Sequence, residues 1–414
     1  MRSLFSEPPP LAPEDVPQGF KFASAACGLK RSKRPDLALI ASENDTATAA
    51  VFTTNRVQAA PVLVSREHLR ISGGNIRAVI VNSGNANCAT GAAGLAASRA
   101  TTASVARELD CRAEQVLVCS TGVIGLALDT KKLLGGLPGL ARAAENSPAA
   151  VAGAAEAILT TDTRRKWATA TCRVGDVPVR LLGFAKGSGM INPHMATMLA
   201  FVMTDAVLTR PLAHRALAAV TRRTFNCVTV DGDTSTNDTL IFMANGAAGA
   251  PIIRTAENDY DRFLKAFESV CQELALSLVA DGEGATRVAE IEVRGVPTDE
   301  IANQLVRAIA NSPLVKTALA GADPNWGRIL CAAGYAPLRN RATFDLAHPD
   351  IRIAGVTVCR AGQACAFDES AVHQKMLAEQ VPIIVDFKKG IGQAAVWTCD
   401  FTAEYVRINA SYRS

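Results

Sequence analysis

"KGSGMINPHMATMLAFVMTDA" runs from Lys186 to Ala206: a lysine, two glycines (Gly187 and Gly189), a proline, then Ala196-Thr197 and an apolar run toward Asp205. The apolar run reads as a buried strand, and the glycines before it as a flexible or strained loop. Ala-Thr at the head of a strand is ordinary as structure, but it also matches what a self-activating nucleophile requires. A threonine hydroxyl is a weak nucleophile without a base beside it. One solution makes the threonine the first residue of its own chain. Its hydroxyl attacks the preceding carbonyl, the peptide shifts to an ester, and water releases a new N-terminus. The freed α-amine, with a reference pKa of about 8, then serves the same hydroxyl as a base. Ala196 supplies the small neighbour, Gly187 and Gly189 the flexible approach, and Met198 to Val202 the rigid support.

Strands and helices alternate before this stretch. Arg77 to Val81 predicts a strand ending in the turn-rich "NSGNAN" (Asn82 to Asn87), and a small-residue helix follows over Ala93 to Leu109. Gln115 to Cys119 predicts a second strand, broken by "STG" at Ser120 to Gly122. Thr121 and Gly122 then sit in a glycine turn after a strand, where backbone N–H groups or a hydroxyl serve a developing oxyanion. Beyond Thr209, Leu212, Ala216, Leu217 and Val220 mark a helix. Tyr260 to Leu278 holds helical spacing for nearly five turns, and Gly282 stands at the stop. Glu290 to Arg294 alternates as a half-buried strand. Thr298 caps a helix with Ile301, Leu305 and Ile309 on one face, and Ile383–Phe387 and Gln393–Trp397 flank "KKG" like a hairpin. Short turns and small side chains suggest close layer packing in a mixed α/β protein. The expected organisation is a mobile arm over 1–18, a main domain over 19–281 and a smaller domain over 282–414.

Composition narrows the classes. Hydrophobic residues are 49% and charged residues 20% of 414, an ordinary globular balance. A net charge of +4 without a basic block, and only 5% aromatics, argue against a nucleic-acid partner. The uncharged stretches 78–98 and 187–204 are broken by Asn, Gly, Ser or Pro, so no membrane span is expected. "SEPPPLAPED" stands where a secretory signal needs an apolar core. Eleven scattered cysteines without a Cys-x-x-Cys pair fit free thiols in a reducing cytoplasm.

Other motifs read as structural. "GSG" lacks the rest of a phosphate loop. "DGDTSTND" (Asp231 to Asp238) lacks the central glycine and closing glutamate of a calcium loop, so no metal is expected. The five histidines form no ligand spacing, and "DPNWGRIL" (Asp323 to Leu330) reads as a rigid turn placing an aromatic and an arginine.

Taken together, "VFTTNRVQAAPV", "VNSGNAN", "STGVIG", "TTDT", "KGSGMINPHMATML", "VDGDTSTNDT", "DGEGAT", "ADPNWGRIL" and "YVRINASYRS" resemble, in order, the motifs of the ornithine acetyltransferase (ArgJ) family along essentially the whole chain. The resemblance implies an αββα sandwich like that of the self-cleaving aminopeptidases, plus a smaller C-terminal α/β domain whose tail returns to the active site. It implies that Thr197 is the nucleophile, that the Ala196–Thr197 bond is cut autocatalytically into α (1–196) and β (197–414) chains, and that these assemble as α2β2. Thr121 and Gly122 match the oxyanion pair. Substrate-binding positions fall on Thr160 (chosen over Thr163), Lys186, Thr197, Glu283, Asn409 and Ser414. The implied reaction moves the acetyl group of N-acetylornithine to glutamate by ping-pong transfer, without a cofactor, in the cytoplasm; acetyl-CoA is an alternative donor in part of the family. Two departures stand out: the chain ends "ASYRS" where an acidic residue and a threonine are more common, and "INPHMATML" exchanges Asn and His relative to a frequent "IHPNMATML". Two alternatives stay open: a self-processing amidohydrolase in which water replaces glutamate, and an unprocessed, silent paralogue.

Overall fold

The computed structural model describes residues 3–192, 198–338 and 345–411. In chain order the strands are β1 (Phe20–Ala25), β2 (Leu37–Ser42), β3 (Ala47–Phe52), β4 (Ala78–Asn85), β5 (Val116–Val123), β6 (Lys166–Val174), β7 (Val177–Lys186), β8 (Leu199–Thr204), β9 (Val228–Thr229), β10 (Thr239–Ala244), β11 (Val288–Val296), β12 (Asp350–Ile353), β13 (Val356–Arg360), β14 (Gln363–Ala364), β15 (Gln380–Asp386) and β16 (Gly392–Cys399). The helices are α1 (Ala60–Ile71), α2 (Gly91–Glu108), α3 (Thr130–Arg142), α4 (Pro148–Ala157), α5 (Arg210–Arg223), α6 (Asn258–Ala280), α7 (Asp299–Ala310), α8 (Pro313–Ala320), α9 (Trp326–Gly334), α10 (Glu369–Met376) and α11 (Ala403–Ser411). The chain divides into two units: a larger one over Glu7–Asn226 and Asp233–Leu278, and a smaller one with residues up to 6, Cys227–Gly232 and the chain from Val279 onward. The division falls in the last turn of α6.

Period-two alternation builds the larger unit. In β2, β4 and β5, Ala38, Ile40, Val79, Val81, Leu117 and Cys119 face one core, while Leu37, Leu39, Ala78, Ile80, Val116 and Val118 face another. The first core is closed by Leu182 and Phe184 of β7, Leu199, Phe201 and Met203 of β8, and Ile241 and Met243 of β10. The second is closed by Val105 of α2 and by Leu133, Leu137 and Leu140 of α3. The four-stranded sheet β1-β2-β4-β5 thus lies between helices and the five-stranded sheet β3-β10-β8-β7-β6. The far face of that second sheet is covered by α6, where Phe242 stacks on Phe267 with centroids 4.5 Å apart. Helix, sheet, sheet, helix: this is the αββα sandwich. β8 is buried at every residue, which explains its unbroken apolar run.

Several expected boundaries move. β4 and β5 run on through "NSGN" and "STG", because paired glycines let the ladder continue past a bulge. The segment expected as a mobile arm is anchored: Val16 enters the inter-sheet core, Pro9 O accepts from Trp167 Nε1 at 2.8 Å, and Gln18 N donates to Asp205 Oδ2 at 3.1 Å.

In the smaller unit seven strands run β14-β13-β12-β15-β11-β16-β9. β15 and β16 form no hairpin. β11 lies between them, parallel to β15 and antiparallel to β16. Their connection crosses the end of β11 so closely that a Cβ on Gly390 would meet Val296 O at 2.2 Å. Ala289, Ile291 and Val293 of β11 face a core shared with Leu305 and Ile309 of α7, while Glu290 is exposed. Thr298 caps α7, its Oγ1 accepting from Ile301 N at 3.3 Å.

At Gly183 of β7 an added Cβ would lie 2.8 Å from Leu274 Cδ1 and 2.9 Å from Val270 Cγ1, so α6 packs directly on bare backbone. Gly183→Ala should therefore destabilise by about 1–3 kcal/mol through overpacking. A urea midpoint lowered at unchanged slope checks this, and adding Leu274→Ala should recover part of the loss.

Candidate active site

The bulged ends of β4 and β5 form the first element of the site. Gly84 pairs with Gly122, and Asn85 then pairs with both Thr121 and Val123. Gly122 has φ +128°, and a Cβ there would meet Gly84 C at 2.4 Å and Asn85 N at 2.6 Å. Only glycine fits, so Thr121 and Gly122 lie in a strand end, not in a turn after one. Bulges leave N–H groups out of the ladder, and such groups can hold a ligand oxygen. Side chains lock this end. Asn237 Nδ2 donates to Ser120 O (2.8 Å) and Ala86 O (2.7 Å), Ser120 Oγ to Asn82 Oδ1 (2.6 Å), and Asn82 Nδ2 to Asn85 O (2.9 Å). Burial pushes the neighbouring Cys119 thiol up to about 12, so it is no thiolate nucleophile.

The second element is a buried charge cluster. Lys186, last residue of β7, has its side chain 11% exposed and its Nζ 3.8 Å from Asp162 Oδ2. Asp162 and Lys166 are fully enclosed, with Lys166 Nζ donating to Asp162 Oδ1 at 2.7 Å. The same Oδ1 accepts from Gly187 N at 2.6 Å, and Oδ2 from Thr160 N at 3.0 Å. Burial works to raise the Asp162 carboxyl, but the Lys166 and Lys186 charges and these hydrogen bonds outweigh it and hold the group well below the carboxylate range. Removing a single partner from such a buried pair costs about 3–5 kcal/mol. Ser188 Oγ shares a 2.6 Å hydrogen bond with Thr161 Oγ1. Thr160 is half-buried and Thr163 exposed. The end of α4 ties this cluster to β4, since Ala157 O accepts from both Ser83 Oγ and Lys30 Nζ.

The start of β8 connects the two elements. Leu199 pairs with Lys186 of β7 on one side and with Thr239 of β10 on the other, and Thr239 N donates to Met198 O at 2.9 Å. Asn237, two residues before Thr239, is the residue that reaches across to Ser120. Thr197 and Ala196, which precede this point, lie outside the described residues, as does Ser414.

In the smaller unit Glu283 is buried, and its Oε2 accepts from Asn409 Nδ2 of α11 at 2.7 Å. The loop carrying Glu283 is clamped to the chain before α11. Buried Asp400 accepts from Thr286 N (2.8 Å), Thr286 Oγ1 (2.6 Å) and Arg287 N (3.1 Å), and Thr402 Oγ1 donates to Gly284 O (2.8 Å). "DPNWGRIL" proves to be a helix start: Asn325 caps α9, and Arg328 Nη1 donates to Leu314 O at 3.0 Å.

The structure thus joins Thr160 to Lys186 through Asp162, and Glu283 to Asn409 directly. Asp162, Lys166 and Asn237 lie in or near the quoted motifs, but no spacing there marks them as part of a site. The "TTDT" carboxylate followed by Lys166 was the one visible signal of an ion pair. Among the described residues no three of His, Cys, Asp and Glu gather as metal ligands, and no helix is long and apolar enough to cross a membrane. His68, His348 and His373 are engaged with Val116 O, Asp345 and Ala322 O.

Two packed sheets lie between helix layers in an αββα sandwich, and the chain's relatives place it among the acyltransferases. The chain belongs to the ArgJ family, whose model matches residues 21–414. It is 45% identical over 404 residues to the arginine biosynthesis bifunctional protein ArgJ of Caldanaerobacter subterraneus subsp. tengcongensis, covering 97% of this chain and 98% of that protein. The protein of the same name from Geobacter sulfurreducens is 44% identical over 402 residues, covering 96% and 99%. A crystal structure of ornithine acetyltransferase complexed with ornithine, from Mycobacterium tuberculosis, matches with 36% identity and a TM-score of 0.39, covering 45% of this chain and 97% of that one.

Gly122 and Gly125 both hold positive φ, +128° and +81°, but nothing lies within 4 Å of a Cβ on Gly125. Backbone strain alone costs about 1–3 kcal/mol. Gly122→Ala should cost about 2 kcal/mol more than Gly125→Ala, because it also pushes β4 and β5 apart. Thermal melts of both variants, with hydrogen exchange across Ser120–Val123, check this.

Proposed function

We propose that this chain serves arginine biosynthesis by moving the acetyl group of N-acetylornithine to glutamate, giving ornithine and N-acetylglutamate. The Thr197 hydroxyl first cuts the Ala196–Thr197 bond, leaving α (1–196) and β (197–414) chains that assemble as α2β2. The new α-amine of Thr197 then takes the proton from Oγ as Oγ attacks the acetyl carbonyl, and Thr121 and Gly122 hold the oxyanion. The amine of ornithine leaves with that proton, and an acetyl ester remains on Thr197. The amine of glutamate attacks this ester, its proton returns through the same base, and Thr197 Oγ is restored. No cofactor enters these steps; acetyl-CoA is a second donor able to load the same ester. Lys186 meets a substrate carboxylate and Glu283 a substrate ammonium, with Thr160, Asn409 and Ser414 completing the contacts. The cytoplasm is the expected compartment.

The observation that supports this reading most is the placement of Met198 and Leu199. Leu199 begins β8 between the Lys186 end of β7 and the Thr239 end of β10, Met198 O just before it accepts from Thr239 N, and the loop before Thr239 is tied to the strand bearing Thr121 and Gly122. Full-length identity of 45% to a bifunctional ArgJ protein supports the substrate pair.

Intact mass under denaturing conditions, before and after brief exposure to N-acetylornithine, tests it. Two chains split at Thr197, with the C-terminal one gaining an acetyl mass, are expected. Thr197→Ala should stay uncut and unacetylated, and a normally processed Ala variant would sink the proposal. Thr121→Val should lower kcat about 10²–10³-fold with little change in KM. Free acetate in place of N-acetylglutamate would mean a hydrolase.

A further inference from the structure

We propose that Asp162 is a positioning residue of this site: its carboxylate fixes the Lys186 ammonium and the Gly187 N–H together, and so sets where a substrate carboxylate binds and how the chain leaves β7. The inference rests on the reading of Lys186 as a substrate contact.

Four groups converge on one enclosed carboxylate. Oδ1 takes Lys166 Nζ at 2.7 Å and Gly187 N at 2.6 Å. Oδ2 takes Thr160 N at 3.0 Å, with Lys186 Nζ at 3.8 Å. Lys166 is in hydrogen-bond contact, but Lys186 is not. Among the described residues Lys186 Nζ donates no hydrogen bond and has Asp162 as its one ion-pair partner within 4 Å. Its charge is therefore held in place, and no described residue takes its donors. A substrate carboxylate at Lys186 would take those donors and pair with that charge.

Asp162 governs geometry as well as charge. Lys166 opens β6 and pairs with Ala185, one residue before Lys186. Gly187, at φ +152°, begins the loop that leads to the Ala196–Thr197 bond. Without the carboxylate two ammonium groups face each other in a dry site, and Gly187 N loses its acceptor. Thr160 and Lys186, both singled out as substrate contacts, then lose their common anchor.

A double-mutant cycle separates positioning from plain structural support. Asp162→Asn should raise KM for N-acetylornithine about 10-fold or more, but change it by less than about 2-fold in a Lys186→Met background, since the first residue acts through the second. Additive effects, or an unchanged KM with only a lowered melting temperature, would overturn the proposal. Should Asp162→Asn fail to fold, Asp162→Asn/Lys166→Met removes the buried pair together and is measured in its place. A readout independent of turnover is the acylation rate of Lys186 by N-hydroxysuccinimide acetate, followed by mass spectrometry. Loss of the carboxylate, which releases the side chain from its anchored place, should change it about 5-fold or more, and an unchanged rate would overturn the proposal. If the wild-type chain transfers no acetyl group, the functional reading fails, and the labelling rate alone decides the role of Asp162.

Discussion

The central strands of both sheets in the larger unit are buried on both faces, and this constraint governs their ends. A sheet with one wet face can leave its strand termini to water. Here β2, β8 and β10 are buried at every residue, so polar groups at the strand ends need partners from the protein itself. Asn237 answers this for β5, with one amide on two carbonyls, and Asp162 answers it where β7 ends. The side chains that satisfy the ends of the sandwich are the ones that surround the candidate site.

The electrostatics follow from the same enclosure. A lysine on an exposed strand end would carry its own hydration, and a nearby carboxylate would add little. Lys166 and Asp162 have given that hydration up, so each relies on the other and on its hydrogen bonds for compensation. The strand end at Gly122 has the complementary character, a neutral, backbone-lined surface with a half-buried hydroxyl at Thr121.

The smaller unit solves a different problem. α11 has no buried residue, so the hydrophobic effect does little to hold it. Polar ties and rings do the holding. Asp400 and Thr402 grip the 284–287 loop, Phe401 stacks on Tyr405 at 4.5 Å, and the buried Lys316 ammonium lies 4.5 Å from the Phe401 ring while donating to Thr398 Oγ1 at 2.7 Å. Glu283 and Asn409 meet at the far end of this arrangement.

The sequence by itself determined the element types, the strand and helix faces, the cap at Thr298, and the ordered motifs that carry the family. These depend on residues within a turn or two of each other, or on short strings read one at a time. β4 and β5 depart from that reading, since the paired Gly84 and Gly122 carry the ladder past a bulge at Asn85 through residues that look like turns, and β11 lies between β15 and β16 where the pattern suggests a hairpin. Only the tertiary structure decided that Asp162 holds Lys186 and that Asn237 reaches Ser120. Those partners are brought together by strand register and sheet packing, which a side chain's own neighbours in the chain do not encode.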